Sequence, residues 1–443
     1  MKLKLHVAML IMLLGGMTQC LAKPNNTDIL SAYANIAFEN YADTLNDAKT
    51  LEKAVEGFIM SPSKEGLEST KKAWLKARES YGQTEIFRLA NGPIDAEEGW
   101  VAAAYSALEG QLNAWPLDEN MIDYTINAKG ETTSVNIIDT KGMFEPVGEA
   151  SKAVDVSKVT VEAITALNEN AGDANVATGY HAVEFLLWGQ DQDYSSFVKD
   201  AVTNGATTAG QRPLSDYTTD KYAQRRKAYL HAAAEKIVLD LAVVTSAWSK
   251  KISPDCATDS EGCYRGALLS SLKGKDASKN IDADTALKDI FAGMGVFIKS
   301  ELANERIAVA VLTPSEEDEH SCFSDNTHRD IAMNYQGFKN ILTSTYNNKD
   351  YSASLLSALD AKSKEKVTKL MSKIEENIEK IDTLAKTTEH FDYQIRPDNP
   401  NAKRIVKLKN DMRKLGDMMM MIAKAHNINL NIEDVTDVEE TQI

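Results

Sequence analysis

A histidine and a glutamate lie three residues apart in the segment Gly179-Tyr-His-Ala-Val-Glu-Phe-Leu-Leu-Trp-Gly189. Helix-forming residues between the two glycines predict a short helix, on which His181 and Glu184 share one face. Apolar residues cover the other faces, so we expect the helix to be buried nearly all round. Burying an imidazole and a carboxylate costs free energy unless a metal ion, an arginine or another hydrogen-bond partner satisfies them.

Two further carboxylates are expected inside the fold. A helical pattern over residues 284–312 has apolar residues at alternating spacings of four and three, which is typical of a helix that faces a partner helix. Glu301 and Glu305 occupy positions in this row, so both are predicted to point inward, as in bundles that hold metal ions. The alternative is an ion pair with Arg306 or with an arginine from a neighbouring helix.

A polar row is expected on the helix predicted over residues 64–90. Arg78, Tyr81, Glu85 and Arg88 follow Trp74 at spacings of four and three. Such a row can be a solvated helix face, but the aromatic residues among the charges indicate that it is at least partly covered.

The segment 316–330 combines acidic residues with His320, Cys322 and His328 in one short polar stretch. This composition is typical of a site for a hard or borderline cation. Asp325 can equally serve as the cap of the helix that follows.

The elements that would position these residues are helices. Few prolines and few alternating patterns predict an all-α chain, and short connections between long amphipathic helices predict up-and-down bundles. We predict one bundle over residues 23–218, which carries the histidine and glutamate, and a second over 219–443. The helix count is compatible with an internal duplication, although no sequence repeat supports one. The predicted helices cover residues 29–60, 64–90, 96–115, 146–170, 178–189, 219–250, 284–312, 327–346, 353–387 and 402–425.

The longer string around the histidine carries a family resemblance. Gly-x-His-x-x-Glu followed by Phe-Leu-Leu-Trp-Gly-Gln-Asp resembles the signature of the imelysin family. Segments similar to that family follow in the same order between about residues 74 and 337, and the chain is most similar to the family's iron-regulated branch. The resemblance implies two helical-bundle domains with the signature near their junction, in a cell-envelope protein implicated in iron uptake.

The resemblance and the residue types together indicate a polar pocket between the two bundles that binds iron or zinc, or a metal chelate. His181 and Glu184 are the leading ligands. The additional candidate ligands are Glu85, Glu301, Glu305, Asp325 and His328, and the residues expected to support the site are Gly179, Arg78, Tyr81, Arg88, Arg306 and His320.

Two other functions stay open. Some members of the family are classed as metallopeptidases, and a zinc peptidase needs three protein ligands, an open position for water and a general base. The compact His-Glu-x-x-His form does not occur in this sequence, and Glu184 can act as a ligand or as a base but not as both. We therefore favour a binding protein over an enzyme. The third hypothesis is a non-catalytic docking protein in which the signature only maintains the bundle junction.

The first residues predict export. Residues 1–22 combine two lysines, a short apolar run and a small-residue cleavage site, the pattern of a signal peptide, so we expect the periplasm or cell envelope. A lipid anchor at Cys20 is the less favoured alternative, and the apolar run is too short to span a bilayer. In an oxidising compartment, Cys256 and Cys263 are expected to form a disulfide across a polar loop.

The chain is acidic, with a formal net charge of −16 at pH 7. A chain with this charge repels nucleic acid and attracts cations. The expected partners are therefore a metal ion or metal chelate and an envelope protein, and no nucleic acid is expected among them.

Overall fold

The computed structural model describes residues 23–127, 129–148, 150–191, 209–312 and 319–437. Helices dominate these ranges and the strands are only two residues long, so the predicted all-α fold class is confirmed. The predicted signal peptide over residues 1–22, with Cys20, lies outside the described residues. Among the described helices, none is long and apolar enough to cross a membrane.

The helices follow one another with short connections in most of the chain. The α-helices are α1 (Asn26–Met60), α2 (Lys64–Thr84), α3 (Gly99–Tyr105), α4 (Glu109–Leu112), α5 (Glu119–Ile122), α6 (Val161–Leu167), α7 (Gly179–Trp188), α8 (Ser215–Thr218), α9 (Ala223–Ala247), α10 (Cys263–Leu268), α11 (Ala283–Val296), α12 (Ala310–Leu312), α13 (Thr327–Thr343), α14 (Ala361–Thr387), α15 (Phe391–Ile395) and α16 (Ala402–Ala425). A π-helical segment, Phe297–Val309, joins α11 to α12. Short 3-10 turns cover Glu85–Phe87, Gly274–Lys279, Cys322–Ser324, Leu355–Ala358 and Glu433–Val435.

Two small antiparallel hairpins accompany the helices. Strand β1 (Met143–Phe144) pairs with β2 (Val154–Asp155), with Met143 opposite Asp155. Strand β3 (Thr345–Tyr346) pairs with β4 (Lys349–Asp350), with Thr345 opposite Asp350.

The first bundle is formed by α1, α2, α7 and α9, which pack against one another along their lengths. The Trp74 indole in α2 donates to the Tyr180 carbonyl in α7 at 2.9 Å, and Trp74 packs against Trp188 with ring centroids 5.3 Å apart. Helix α9, which follows the predicted division between residues 218 and 219, packs on α1 and α7.

The second bundle is formed by α11 with the π-helical segment, α13, α14 and α16. Helix α16 packs along the π-helical segment and α14, while α13 packs against α14. Helix α2 of the first bundle lies directly on α13 of the second. This contact between α2 and α13 is the main junction of the two bundles.

Two of the predicted helices are much shorter in the structure. The helix expected over 96–115 is divided into α3 and α4 because Ser106 and Ala107 have left-handed φ values of 70° and 46°. The helix expected over 146–170 is confined to α6. The backbone before it is held differently, since the Arg225 guanidinium in α9 donates to the carbonyls of Val156 and Ile137 at 2.7 and 2.8 Å.

Cys256 and Cys263 are joined by a disulfide with a Cα–Cα distance of 5.8 Å. The bridge closes the polar loop between α9 and α10, and both cysteines are buried with Ala267 and Leu272 in a small apolar cluster.

The start of α7 requires a glycine. Gly179 has a left-handed φ of +82°, and a Cβ atom placed on it would lie 2.4 Å from the Leu112 carbonyl oxygen at the end of α4. Both the backbone conformation and the close approach exclude a side chain. Gly179 therefore fixes the position at which α7 enters the first bundle, two residues before His181.

We predict that Gly179→Ala destabilises the protein more than Gly99→Ala. Gly99 also has a left-handed φ, +75°, but a Cβ there would meet no atom within 4 Å. The strained backbone alone costs about 1–3 kcal/mol in the free energy of unfolding, and Gly179→Ala adds the overlap with Leu112. Urea denaturation of the two variants measures the difference, and equal losses would show that the overlap is relieved without cost.

Candidate metal centre

His181 and Glu184 meet on one face of α7, as their spacing predicts. The His181 Nδ1 atom is 2.9 Å from Glu184 Oε2, and both side chains are completely buried. The other carboxylate oxygen, Oε1, accepts from the backbone N–H of Ser324 at 3.0 Å and from its hydroxyl at 2.6 Å. Burial raises the pKa of Glu184 to about 8 despite these donors. An ionised Glu184 therefore needs further positive charge nearby.

A second histidine is held by a second carboxylate in the same way. His320 Nδ1 is 2.8 Å from Asp330 Oδ2 in α13. The Ser321 hydroxyl donates to the same oxygen, and Arg78 donates to the other oxygen from Nη2 at 2.9 Å. Burial opposes the ionisation of Asp330, but the charge of Arg78 and the bond from His320 hold its pKa below the usual range. Asp330 is therefore a carboxylate that orients His320.

The two imidazole rings contact each other. Their centroids are 4.6 Å apart in an edge-to-face arrangement, and Trp115 packs on His181 at 4.8 Å. Both Nε2 atoms are buried and make no hydrogen bond within the described residues. Burial lowers the pKa of each imidazole, and the positive charge of Arg306 adds to the effect on both. The site therefore holds two neutral imidazoles.

A carboxylate on Nδ1 with an open Nε2 is the arrangement that protein histidines adopt when they bind metal ions. The carboxylate fixes the ring orientation and places the Nδ1 proton, which leaves the Nε2 lone pair for a metal. The residues present therefore fit a metal ion of the kind that imidazole binds, such as iron or zinc.

Next to the imidazoles lies a buried network of arginines and glutamates. Arg306 pairs with Glu85 of the first bundle and donates to Glu301 Oε2 at 2.7 Å. Arg88 donates to the same Glu301 oxygen at 2.9 Å. Burial opposes the ionisation of Glu301, but the two guanidinium groups lower its pKa to about 2. Asn334 in α13 completes the network by donating to Glu85 at 3.1 Å.

The π-helical segment creates the pairing of Glu301 with Arg306. In a π-helix the backbone bonds join residues five apart, so Arg306 lies closer to Glu301 than it would on an α-helix. The sequence predicts an α-helix in which Glu301 and Glu305 both point inward. In the structure Glu301 is buried and pairs with Arg306, whereas Glu305 is exposed.

A cavity of about 400 Å³ opens between the two bundles beside this network. His320 and Trp115 line its wall, whereas His181 does not line it and lies behind them. The charged residues of its wall are Arg88, Arg306, Glu109, Glu169, Asp173, Glu301 and Glu305. Five acids against two arginines make this wall acidic, so the cavity favours a positively charged occupant.

The predicted site residues divide into those that meet here and those that do not. The structure brings together His181, Glu184, Arg78, Glu85, Arg88, Glu301, Arg306 and His320, with Glu305 at the cavity wall and Gly179 at the start of α7. Tyr81 is buried against Tyr180 with ring centroids 4.7 Å apart. Tyr81 supports Arg78, whose guanidinium lies 5.3 Å from the Tyr81 ring centroid.

Asp325 and His328 belong to other surroundings. His328 Nδ1 is 3.0 Å from the Asp325 carbonyl oxygen, and its Nε2 is 3.6 Å from Asp382 in α14. The Asp325 carboxylate contacts His390 next to α15. Neither side chain joins the two imidazoles, because the turn Cys322–Ser324 separates Asp325 from Glu184.

Asp330 and Trp115 are site residues that the sequence did not identify. Asp330 lies within the polar stretch 316–330, but an acid in the first turn of a helix is ordinary and gave no separate signal. Trp115 is the last residue of the helix predicted over 96–115, and its position there indicated no role in a site. The contacts of Asp330 with His320 and of Trp115 with His181 cannot be inferred from the spacing of these residues in the sequence.

Comparisons with known proteins identify the family and the fold. The family model described as imelysin, of peptidase family M75, matches residues 37–418, which is most of the chain. Iron-regulated protein A from Synechococcus elongatus is 30% identical over 103 residues, a match that spans 23% of this chain and 25% of that relative. The match therefore covers about a quarter of the relative's length.

A crystal structure from Parabacteroides distasonis, described as that of an iron-regulated protein A precursor, has the same fold. Its TM-score is 0.58 at 17% sequence identity, and the superposition covers 90% of this chain and 96% of that chain. At this identity the likeness establishes the fold alone.

We predict that Asp330→Asn is strongly destabilising. The substitution keeps the shape of the side chain but removes the negative charge that faces Arg78, and both side chains are only 1% exposed. Removing one partner of a buried ion pair costs about 3–5 kcal/mol because the other charge stays buried without compensation. Urea denaturation measures the loss.

The matched control for Asp330→Asn is Glu376→Gln, which breaks the pair between Glu376 and Lys380 on the solvent face of α14. This pair is exposed, so its loss should leave the denaturation midpoint unchanged. A midpoint for Asp330→Asn equal to that of the control would contradict the role of the buried pair.

Proposed function

Because the chain belongs to the imelysin family, we propose that it is an exported cell-envelope protein that binds a metal ion or a metal-containing ligand for iron uptake. The ligand occupies the junction of the two bundles at His181, His320 and the adjoining cavity. The names of the two relatives, both iron-regulated protein A, support the connection with iron. The description of one relative as a precursor, together with the predicted signal peptide, supports export.

The observation that carries the proposal is the pair of open Nε2 atoms. Each imidazole is held at Nδ1 by a carboxylate, and each Nε2 is buried without a hydrogen-bond partner in the described chain. A buried polar atom without a partner costs free energy. A bound cation would accept the lone pairs of the two Nε2 atoms, and its positive charge would stabilise the ionised form of Glu184.

The cavity beside the imidazoles supports a ligand larger than a bare ion. Two protein nitrogens leave several coordination positions of iron or zinc to water or to a chelating molecule. The cavity volume of about 400 Å³ has room for such a molecule, and Arg88 and Arg306 stand in its wall among the acids. These guanidinium groups suit carboxylate oxygens of a chelator, while the acidic remainder suits the metal.

Peptidase activity is the alternative function, because the matching family model is described as a peptidase family. A metallopeptidase needs a general base that can reach a metal-bound water. Glu184 is poorly placed for this role because one of its oxygens contacts His181 and the other accepts two hydrogen bonds from Ser324. This geometry supports an orienting role for Glu184, and therefore a binding protein.

A docking protein without any ligand is the third hypothesis, and elemental analysis separates it from the other two. The protein is purified from its exported compartment without added metal, and its metal content is measured. Iron or zinc in a fixed ratio to protein supports a metal site. Metal-free protein that also fails to take up either ion in solution supports docking alone.

We predict that the double variant His181→Ala with Glu184→Ala lowers the affinity for added iron or zinc by at least about tenfold, which corresponds to roughly 1.4 kcal/mol. The variant removes one open Nε2 atom and the carboxylate that positions it. Isothermal titration calorimetry measures the affinity, and circular dichroism confirms that the variant is folded.

The control for the double variant is His231→Ala. His231 lies at the surface of α9, 3.8 Å from Glu56 and from Glu235, and its loss should leave the affinity unchanged. Binding by the double variant that matches both the control and the original protein would reject His181 and Glu184 as parts of the site.

A further inference from the structure

A separate group of acids lies on the far side of the turn Cys322–Ser324. Within the described residues, Asp325, His390 and Asp392 have potential ligand atoms that all lie within 4.8 Å of one another. Glu319 lies near this group, because the carboxylates of Asp392 and Asp325 are the charged groups that act most strongly on it. Two carboxylates and one imidazole therefore converge at one place, with a third carboxylate nearby.

All four side chains are removed from solvent. Glu319 and Asp392 are each 1% exposed, Asp325 is 3% exposed and His390 is 9% exposed. Like charges at such distances in a buried environment repel one another, and burial opposes the ionisation of each carboxylate. His390 supplies at most one positive charge against three acids, so a fully ionised group has an excess of negative charge.

Unsatisfied oxygen atoms in this group indicate a missing partner. Both carboxylate oxygens of Glu319 and Oδ1 of Asp392 are buried and make no hydrogen bond to any described residue. The Thr327 hydroxyl lies near enough to act on the charge of Glu319, but it does not make a hydrogen bond of normal geometry to the carboxylate. Buried carboxylates normally have hydrogen-bond partners, pair with cations or coordinate metals.

We propose that Asp325, His390 and Asp392, with Glu319 beside them, form a second site, which binds a divalent first-row transition cation such as Mn²⁺ or Fe²⁺. Carboxylate oxygens suit manganese, and the single imidazole suits the transition metals rather than magnesium or calcium. The positive charge of the cation offsets the excess of buried negative charge, and its coordination satisfies the open oxygens.

The second site differs from the junction pocket in position and in chemistry. Its ligands come from the segment before α13 and from the start of α15, and neither His181 nor His320 belongs to it. A cation there joins these two segments of the second bundle at the end of α7, where Asp191 also lies close to Glu319. The site therefore has a structural role that does not depend on the proposed function of the junction pocket.

The experiment titrates the folded chain with MnCl₂ and follows the electron paramagnetic resonance signal of free Mn²⁺, which disappears on binding. The titration is performed in the His181→Ala, Glu184→Ala background, so that the junction pocket does not contribute. Saturable uptake of one Mn²⁺ and a rise in Tm are expected, because an ion that binds only the folded state stabilises it.

Glu319→Gln and Asp392→Asn, made separately in that background, should each weaken Mn²⁺ binding by at least about tenfold and abolish the rise in Tm. Both substitutions keep the side-chain shape and remove a buried negative charge, so the metal-free proteins should stay folded. The matched control is Asp289→Asn, which lies in α11 outside the group and should bind Mn²⁺ as its parent does.

Two results would overturn the second site. One is a parent protein without saturable Mn²⁺ uptake, which would indicate that protons alone neutralise the acids. The other is unchanged affinity in both Glu319→Gln and Asp392→Asn. Neither result bears on the junction pocket, whose test compares the original protein with the His181 and Glu184 double variant.

Discussion

The buried ion pair between Arg78 and Asp330 is the interaction on which the junction depends. Arg78 stands in α2 and Asp330 in α13, so their contact joins the two bundles where neither side chain reaches water. A buried ion pair contributes little net stability over an apolar contact, but it is strongly directional and costly to break. It therefore fixes the relative position of α2 and α13 more than it strengthens their association.

The rest of the candidate metal centre is built outward from this pair. Arg78 also donates to Asn113 at 2.5 Å and lies near the faces of Tyr81 and Tyr180, which hold its guanidinium in place. The Asp330 oxygen that Arg78 leaves open orients His320. The neutral imidazole pair and the bundle contact are thus parts of one polar arrangement.

The sequence predicts the helices whose apolar stripes are long and uninterrupted, and it fails where side chains distant in sequence decide the backbone. The prediction over 402–425 coincides with α16, and the spacing of His181 and Glu184 correctly placed both on one face of α7. The helix expected over 146–170 forms only over α6, since the Arg225 guanidinium of α9 binds the Val156 carbonyl before it. The sequence pattern around residues 146–170 does not predict this contact with Arg225.

The site was predictable only as far as local spacing determines it. The inward position of Glu301 follows from the apolar row, and Arg306 was already named as an alternative partner, a pairing that the structure contains. The π-helical turn that brings the two residues together has no sequence signature comparable to the α-helical period. The open Nε2 atoms of His181 and His320 were not predictable. Whether a ring nitrogen has a hydrogen-bond partner depends on all the residues that surround it. Trp115 and Asp330 contact these rings, and Ser324 binds Glu184, from separate segments of the chain.

The turn Cys322–Ser324 explains why the two polar groups of the second half are placed together yet stay distinct. Ser324 donates to Glu184 on one side, and the next residue, Asp325, directs its carboxylate to His390 on the other. Asp325 has a left-handed φ of 55°, which turns the chain sharply between the two. Cys322 and Phe323 are buried under this turn, so it cannot shift without unpacking the core. One turn therefore serves both polar groups, because Ser324 holds Glu184 on one side and Asp325 holds His390 on the other.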